Sequence, residues 1–340
     1  MSRYRLLPSP AQEAVLREHC AHARYVWNLA VEQHGHWRPS WRKAGRDEGF
    51  RIVGRGRQWD VRRVSRKVGQ VWVPKAGWVR FRWSRAVPPG VKSYRVTMDR
   101  AGRLHVAFAV IPGPVPAPGN GQVVGIDRGV AVSAALSTGE LLHCPGLTAR
   151  ERTRLRRLQR RLARATRGSN RRTRVKHAIA RLRARETDRR KDWAEKASTG
   201  IARRFDLIRV EDLQIGNMTR SAKGTRENPG RNVGQKAGLN RGILRSGWGL
   251  LVRRLQDTAC GQVEKVKPAL TSQRCSACGQ VDRDSRESQA VFRCTACGFA
   301  GHADVNAAIS IAAGHAVTAR GGDGAARPVN REPHLLLPSA

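Results

Sequence analysis

Two cysteine pairs constrain this chain more than any other feature. Cys275-x-x-Cys278 and Cys294-x-x-Cys297 are separated by fifteen residues, and a glycine follows each pair (Gly279, Gly298). A Cys-x-x-Cys-Gly knuckle turns tightly enough to present two thiolates to one ion, and two knuckles supply the tetrahedral set that Zn²⁺ takes. Four thiolates close the coordination shell, so the pattern predicts one structural zinc ion and not a catalytic one. The total of seven cysteines is odd, which argues for metal in a reducing compartment over a disulfide frame. Cys20, Cys144 and Cys260 have no such spacing and are expected to be ordinary buried thiols.

Charge narrows the function. The 340 residues carry 65 Lys+Arg against 26 Asp+Glu, a net charge of +39. That excess goes far beyond what solubility needs and points to a polyanionic partner. With 40% hydrophobic residues the chain can still build a core, and its length suits two or three domains. No apolar run reaches the length of a membrane span, and the opening MSRYRLLPSPAQ has no apolar leader segment, so no membrane association and a cytoplasmic location are expected. The charge is concentrated: residues 150–190 hold eighteen Lys+Arg and three Asp+Glu. Leu155, Leu158 and Leu162, then Ile179 and Leu182, recur at helical spacing on either side of Gly168-Ser169-Asn170. This predicts an αα-hairpin with basic outer faces, on which Arg154, Arg157, Arg161, Arg164, Arg171, Arg172 and Lys176 are candidate nucleic-acid contacts.

The rest of the chain reads as follows. A strand over Arg3–Leu7 precedes a helix that Ser9 caps and Pro10 opens, with Val15, Leu16, Tyr25, Val26, Trp27, Leu29 and Ala30 on its expected buried face. Residues 38–85 are Arg-, Gly- and Trp-rich, with short strands suggested by Val71, Val73, Val79 and Phe81. Seven of the nine tryptophans precede Ser84; they suit either the core of a small β-domain or stacking on bases. Tyr94–Met98 and Leu104–Ile111 form a hairpin signal around Asp99-Arg100-Ala101-Gly102, and Pro112–Gly121 reads as a linker. Val123–Asp127 reads as a buried strand, followed by antiparallel strands at Ala131–Leu136 and Glu140–His143. A strand at Asp206–Val210, a mobile loop at Gln214–Leu239, a helix over Arg241–Ala259, a strand at Val263–Val266 and a helix at Asp304–Ala313 complete the core. From Gly314 the composition predicts a disordered tail.

Three acids stand at element ends: Asp127, Glu211 and Asp304. Carboxylates at the ends of neighbouring strands can share one or two Mg²⁺ ions and serve phosphodiester cleavage. On pattern alone each also fits a plainer role, as a turn cap, a solvated acid or a helix-dipole partner.

The order of the motifs is informative. Gly125-Ile126-Asp127-Arg128-Gly129, Val210-Glu211-Asp212-Leu213, Thr271-Ser272-Gln273 before the four cysteines, and Ala303-Asp304-Val305-Asn306-Ala307-Ala308 together resemble the TnpB (OrfB) proteins of bacterial insertion sequences, relatives of type V CRISPR effectors. The opening Pro8–Asn28 helix, Arg190-Lys191-Asp192 and the stretch from Asn232 to Asn240 share in the resemblance, which spans nearly the whole chain except parts of Arg38–Arg80 and the tail. It implies an α/β fold. A β-barrel-like domain with a shortened helical insertion (1–111) and a linker (112–121) would precede an RNase H-like, RuvC-type nuclease domain (122–313) carrying the basic hairpin (147–205) and an inserted zinc ribbon (270–300). It further implies that Asp127, Glu211 and Asp304 bind catalytic Mg²⁺. The expected activity is RNA-guided DNA cleavage, with a guide RNA from the element end and double-stranded target DNA as partners in a nucleoid-associated setting. The alternatives are a guided DNA binder that does not cut and a guide-free transposase. Two departures stand out: the Trp37–Arg80 stretch is short for the family, and Arg128 stands where an apolar residue is usual.

Overall fold

A computed structural model of the chain describes residues 2–33, 41–42, 48–56, 58–110 and 113–314. Trp37, residues 111–112 and the expected tail beyond Gly314 lie outside these. The first half is β-rich: β1 (Ser2–Arg5), α1 (Pro10–Gln33), β2 (Glu48–Val53), β3 (Val61–Arg63), β4 (Val68–Val73), β5 (Gly77–Arg82), β6 (Ser93–Met98) and β7 (Leu104–Ala109). One antiparallel sheet runs β1-β7-β6-β2 and a second β3-β4-β5. They share one aromatic core, in which Tyr4 meets Phe81 and Phe108 edge-on and Trp59 packs on Tyr94 and Phe108. Val71, Val73, Val79 and Phe81 are fully buried there, as their alternation suggests. β2 and β3 carry Glu48, Arg51, Arg62 and Arg63, which break the alternation and hide both strands in the sequence.

Ser9 Oγ accepts the Gln12 amide at the start of α1 (3.3 Å), but the helix is less amphipathic than expected. Leu16 and Cys20 are buried, whereas Tyr25, Val26, Leu29 and Ala30 are exposed. Among the described residues Leu16 of the first half joins the sheet core, whereas the second half makes polar and cation–ring contacts, Arg24 with Glu48, and Trp27 and Asn28 with Arg42. The tryptophans divide: Trp59 is core, while Trp72 and Trp41 are exposed.

The second half comprises β8 (Val123–Asp127), β9 (Ala134–Leu136), β10 (Leu141–Leu142), α2 (Ala149–Arg164), α3 (Asn170–Ala202), β11 (Leu207–Glu211), α4 (Ile215–Met218), α5 (Val233–Ser246), α6 (Trp248–Thr258), β12 (Val263–Val266), β13 (Val291–Arg293), β14 (Ala300–His302) and α7 (Ala303–Ala312). Its sheet has the order β10-β9-β8-β11-β12. β8, β11 and β12 are parallel and β9 and β10 antiparallel to their neighbours. Val124, Ile126, Ile208 and Val210 bury one continuous apolar layer against Leu251 and Leu255 of α6 and Ile201 of α3.

The predicted hairpin is α2–α3, and Thr148 and Glu151 form a capping box at its entry. Leu155, Leu158, Val175 and Leu182 form its seam. Three expectations change. The loop expected over 214–239 contains α4 and the start of α5, tied together by Lys236 Nζ on the Met218 carbonyl (2.7 Å) and Asn240 Nδ2 on that of Thr219 (2.9 Å). The single helix expected over 241–259 is two, because Gly247 adopts φ +75° between α5 and α6, a conformation glycine reaches without strain. Cys20 is buried, but Cys144 is only half-buried and Cys260 is exposed, since Cys260 falls in the turn that leads to β12. No described helix is long and apolar enough to cross a membrane.

Candidate active site and metal centre

Each sequence-selected acid sits where two layers meet. Asp127 ends β8 and Glu211 ends β11, adjacent parallel strands, so both carboxylates leave the same edge of the sheet. Asp304 lies in the first turn of α7, which packs across β8. Gly125 explains how α7 can lie so close: a Cβ there would sit 2.0 Å from the Ala308 carbonyl oxygen and 2.4 Å from the Ala312 nitrogen. Any larger residue would lift the helix, and Asp304 with it.

Glu211 and Asp304 are only 8% exposed. Burial, then the charges of Glu211 and Asp304, raise the Asp127 carboxyl from 3.8 to about 7. Burial likewise raises the Glu211 carboxyl. Thr271 Oγ donates to Glu211 Oε1 at 2.6 Å, and Arg286 pairs with Asp304 Oδ1 at 3.0 Å. Buried Arg128 donates to the Glu211 carbonyl, and its Nε is enclosed without a partner among the described residues. The unusual arginine therefore braces the strand end that carries Glu211. Trp248 Nε1 holds the Gly129 carbonyl (2.9 Å), fixing the loop just after Asp127.

The four cysteines form a tighter group. Cys275 and Cys297 sulfurs are 3.7 Å apart and those of Cys278 and Cys294 3.6 Å. Four sulfurs at about 2.3 Å from one ion at tetrahedral angles stand about 3.8 Å apart, so this cage fits Zn²⁺ without rearrangement. Among the described residues it is the one group whose donor atoms all lie within 4.8 Å of one another. The three carboxylates are more widely spaced, with Arg286 standing on one of them. The cage is tied to the acidic site by Asn306 of α7, which accepts the Ser276 amide (2.8 Å) and donates to the Arg274 carbonyl (2.7 Å).

Of the candidate nucleic-acid residues, Arg154, Arg157, Arg161, Arg164, Arg171 and Lys176 are exposed on the hairpin. Arg172 differs: it donates to the Leu162 and Ala165 carbonyls (2.7 and 3.0 Å) and so closes the C-terminus of α2. Thr271, Arg286, Asn306 and Trp248 escaped functional assignment from the sequence. Thr271 and Asn306 lie inside recognised motifs, but nothing in the chain order shows what they touch.

The chain matches three family models: OrfB_IS605, described as "Probable transposase", over residues 93–222; the "Cas12f1-like, TNB domain" over 248–311; and the OrfB_IS605 "Helix-turn-helix domain" over 2–40. It is 38% identical over 305 residues to "Putative RNA-guided DNA endonuclease InsQ" of Escherichia coli K12, covering 88% of this chain and 74% of that protein. It is 32% identical over 251 residues to "Putative RNA-guided DNA endonuclease" of Streptomyces pristinaespiralis, covering 72% of this chain and 58% of that one. Among solved structures, a Cas12f1–sgRNA–target DNA complex aligns at 18% identity with a TM-score of 0.33, over 78% of this chain and 66% of that one.

Proposed function

We propose that this chain, which belongs to the OrfB_IS605 family of insertion-sequence proteins, is an RNA-guided DNA endonuclease that cuts phosphodiester bonds at the Asp127–Glu211–Asp304 site. The observation that carries the reading is the convergence of half-buried Asp127 with the buried Glu211 and Asp304 at the C-terminal ends of two central parallel strands. The strand order β10-β9-β8-β11-β12, with β9 antiparallel to three parallel strands, supports an RNase H-like nuclease domain over residues 122–313. The basic hairpin and a zinc ribbon over 270–300 are inserted in it, and the β-rich unit before residue 112 is the nucleic-acid-binding domain.

The donor set is all oxygen, as Mg²⁺ requires. Asp127, Glu211 and Asp304 would hold Mg²⁺, which when bound would supply Lewis-acid polarisation of the phosphate and a more acidic water. The chain's own residues do the rest. Thr271 fixes one oxygen of Glu211 and leaves the other for the ion. Arg128 holds the Glu211 backbone from behind. Arg286 pairs with Oδ1 of Asp304 and offsets its charge in the free protein. Burial of the acids keeps water from screening these charges. The exposed arginines of α2 and α3 bind phosphates without reading sequence, and sequence is read by pairing with a guide RNA.

The test is to express the protein with its flanking genomic DNA, sequence any RNA that copurifies, and challenge a matching plasmid library with Mg²⁺ or EDTA. Guide-dependent cutting by wild type that Asp304→Ala loses is the expected result. Bound RNA without cutting by either protein would refute the nuclease reading in favour of a guided binder. Cutting without RNA would leave a guide-free transposase.

A further inference from the structure

One cavity outside the acidic site combines two surfaces that rarely occur together. The turn between β6 and β7 leans on α3, where Arg103 binds Asp99 (2.6 Å) and Asp188 (2.7 Å). Beside this contact lies a cavity of about 550 Å³, within the range that holds a small organic ligand. Part of its lining is apolar: Met98, Leu162, Ile179, Ala180 and Ala184. The rest is cationic, with Arg3, Arg100, Lys176, Arg183 and Lys191. Its two acids, Asp99 and Asp188, are both engaged by Arg103. Arg183 pairs with Glu186, but among the described residues Arg100, Lys176 and Lys191 form no ion pair, and Arg3 Nε is enclosed without a partner. An adjoining cavity of about 570 Å³ shares Ala101 and Arg103 and continues the positive charge through Arg5, Arg181 and Arg185, while its one acid, Glu13, pairs with Arg17.

An apolar wall next to uncompensated cations suits a flat apolar group carried on an anionic backbone, and the second cavity shows that the anion continues. A base-paired duplex cannot use such a wall, because its bases are stacked on one another. An unpaired base in an RNA loop or bulge can, and it enters without the cost of opening a DNA helix. No lining residue of this cavity is one of the three carboxylates or their hydrogen-bond partners, so this cavity is separate from the cutting site.

We propose that this cavity receives one unpaired nucleotide of the bound RNA, its base against Ile179, Ala180 and Ala184, and its flanking phosphates on Arg100, Lys176, Lys191 and the arginines of the adjoining cavity. The proposal rests on the RNA-guided reading above and names where the protein grips the RNA by shape.

The experiment is chemical probing of the RNA in the purified complex and after deproteinisation, for wild type, Ala184→Trp, which fills the cavity, and Arg100→Glu, which changes only a turn residue. The expected result is one single-stranded nucleotide whose base is protected in wild type and becomes reactive in Ala184→Trp, with RNA affinity reduced roughly tenfold, the weight of the apolar base surface no longer buried. Arg100→Glu should weaken binding and steepen no thermal transition. If Ala184→Trp is misfolded, judged by melting temperature and zinc content, Arg100→Glu decides: unchanged affinity and probing pattern overturn the proposal. Normal RNA binding and plasmid cutting with no variant-sensitive nucleotide, or a protected base in the DNA instead, overturn it while leaving the nuclease reading intact. A protein that copurifies with no RNA and does not cut defeats the functional reading itself.

Discussion

Asp127→Asn should make the metal-free protein more stable while abolishing cleavage. In the folded chain the Asp127 carboxyl is raised from 3.8 to about 7 by burial and by Glu211 and Asp304. Because the folded state holds this proton more tightly than the unfolded state, stability falls as pH rises from about 4 to about 7 and is flat above that. The full penalty at pH 8 is 1.36 kcal/mol for each of roughly three pKa units, about 4 kcal/mol as an upper bound. Relaxation of the site and neighbouring water reduce it towards about 2 kcal/mol. Asparagine keeps the shape and removes the charge. At 2–4 °C per kcal/mol for a unit of 150–250 residues, the variant should melt at least about 4 °C above wild type at pH 8 in EDTA. The gap should shrink at pH 5, where wild-type Asp127 is mostly protonated. Adding Mg²⁺ should raise the wild-type melting temperature and leave the variant's almost unchanged. Calorimetry at the two pH values, with and without Mg²⁺, reads all of this. A variant that is equally or less stable than wild type at pH 8 in EDTA would refute the claim that burial, with Glu211 and Asp304 beside it, disfavours the charged form of Asp127.

Cys275→Ser should release zinc, measured by metal analysis, and abolish cleavage although no carboxylate is touched, because the cage holds α7 in place. Asn306→Ala removes two buried hydrogen bonds between α7 and the first knuckle and should cost about 2–3 kcal/mol in denaturant unfolding; a loss below about 0.5 kcal/mol would show that the bonds do not join the ribbon to the sheet. Arg286→Ala frees Asp304 and should tighten Mn²⁺ binding to the nucleic-acid-free protein, followed by spin resonance. Arg161→Ala should weaken RNA or DNA binding at low salt and lower the salt slope by about one, whereas Arg172→Ala, which uncaps α2, should lower thermal stability with a smaller change in that slope.

What the sequence shows and what it hides have physical causes. The zinc cage is legible because its ligands lie within twenty-three residues and glycines mark both turns. Asp127 and Glu211 are legible because parallel strands buried on both faces read as short apolar runs ending in an acid. The break at Gly247 is hidden, because Gly234, Gly238 and Gly242 lie within a helix and one more glycine carries no distinct signal. β2 and β3 are hidden because their partners, not their own alternation, hold them in the sheet. Arg286 and Thr271 are hidden for a different reason: each acts on an acid eighteen and sixty residues away, and only the folded ribbon brings them there.

The distribution of charge adds a last step. In a chain with 65 basic and 26 acidic residues, a cation is available to nearly any acid, and Glu151, Glu186, Glu195, Glu264 and Asp188 each hold an arginine. Asp127 and Glu211 form no ion pair among the described residues, although both are largely buried and raised in pKa. Arg128, the nearest arginine, gives a hydrogen bond to the Glu211 backbone carbonyl instead. Leaving two buried acids unpaired beside so many guanidiniums is unfavourable for the free fold. On the proposed reading a cation from outside would offset that cost, and a compact divalent ion suits oxygens that converge from three elements better than a planar guanidinium, whose fork fits one carboxylate. Arg286 occupies Oδ1 of Asp304 and leaves Oδ2 to face such an ion. Asn306 joins the helix that carries Asp304 to the first cysteine knuckle, so an ion held by the four cysteines would also steady the third acid of the proposed site.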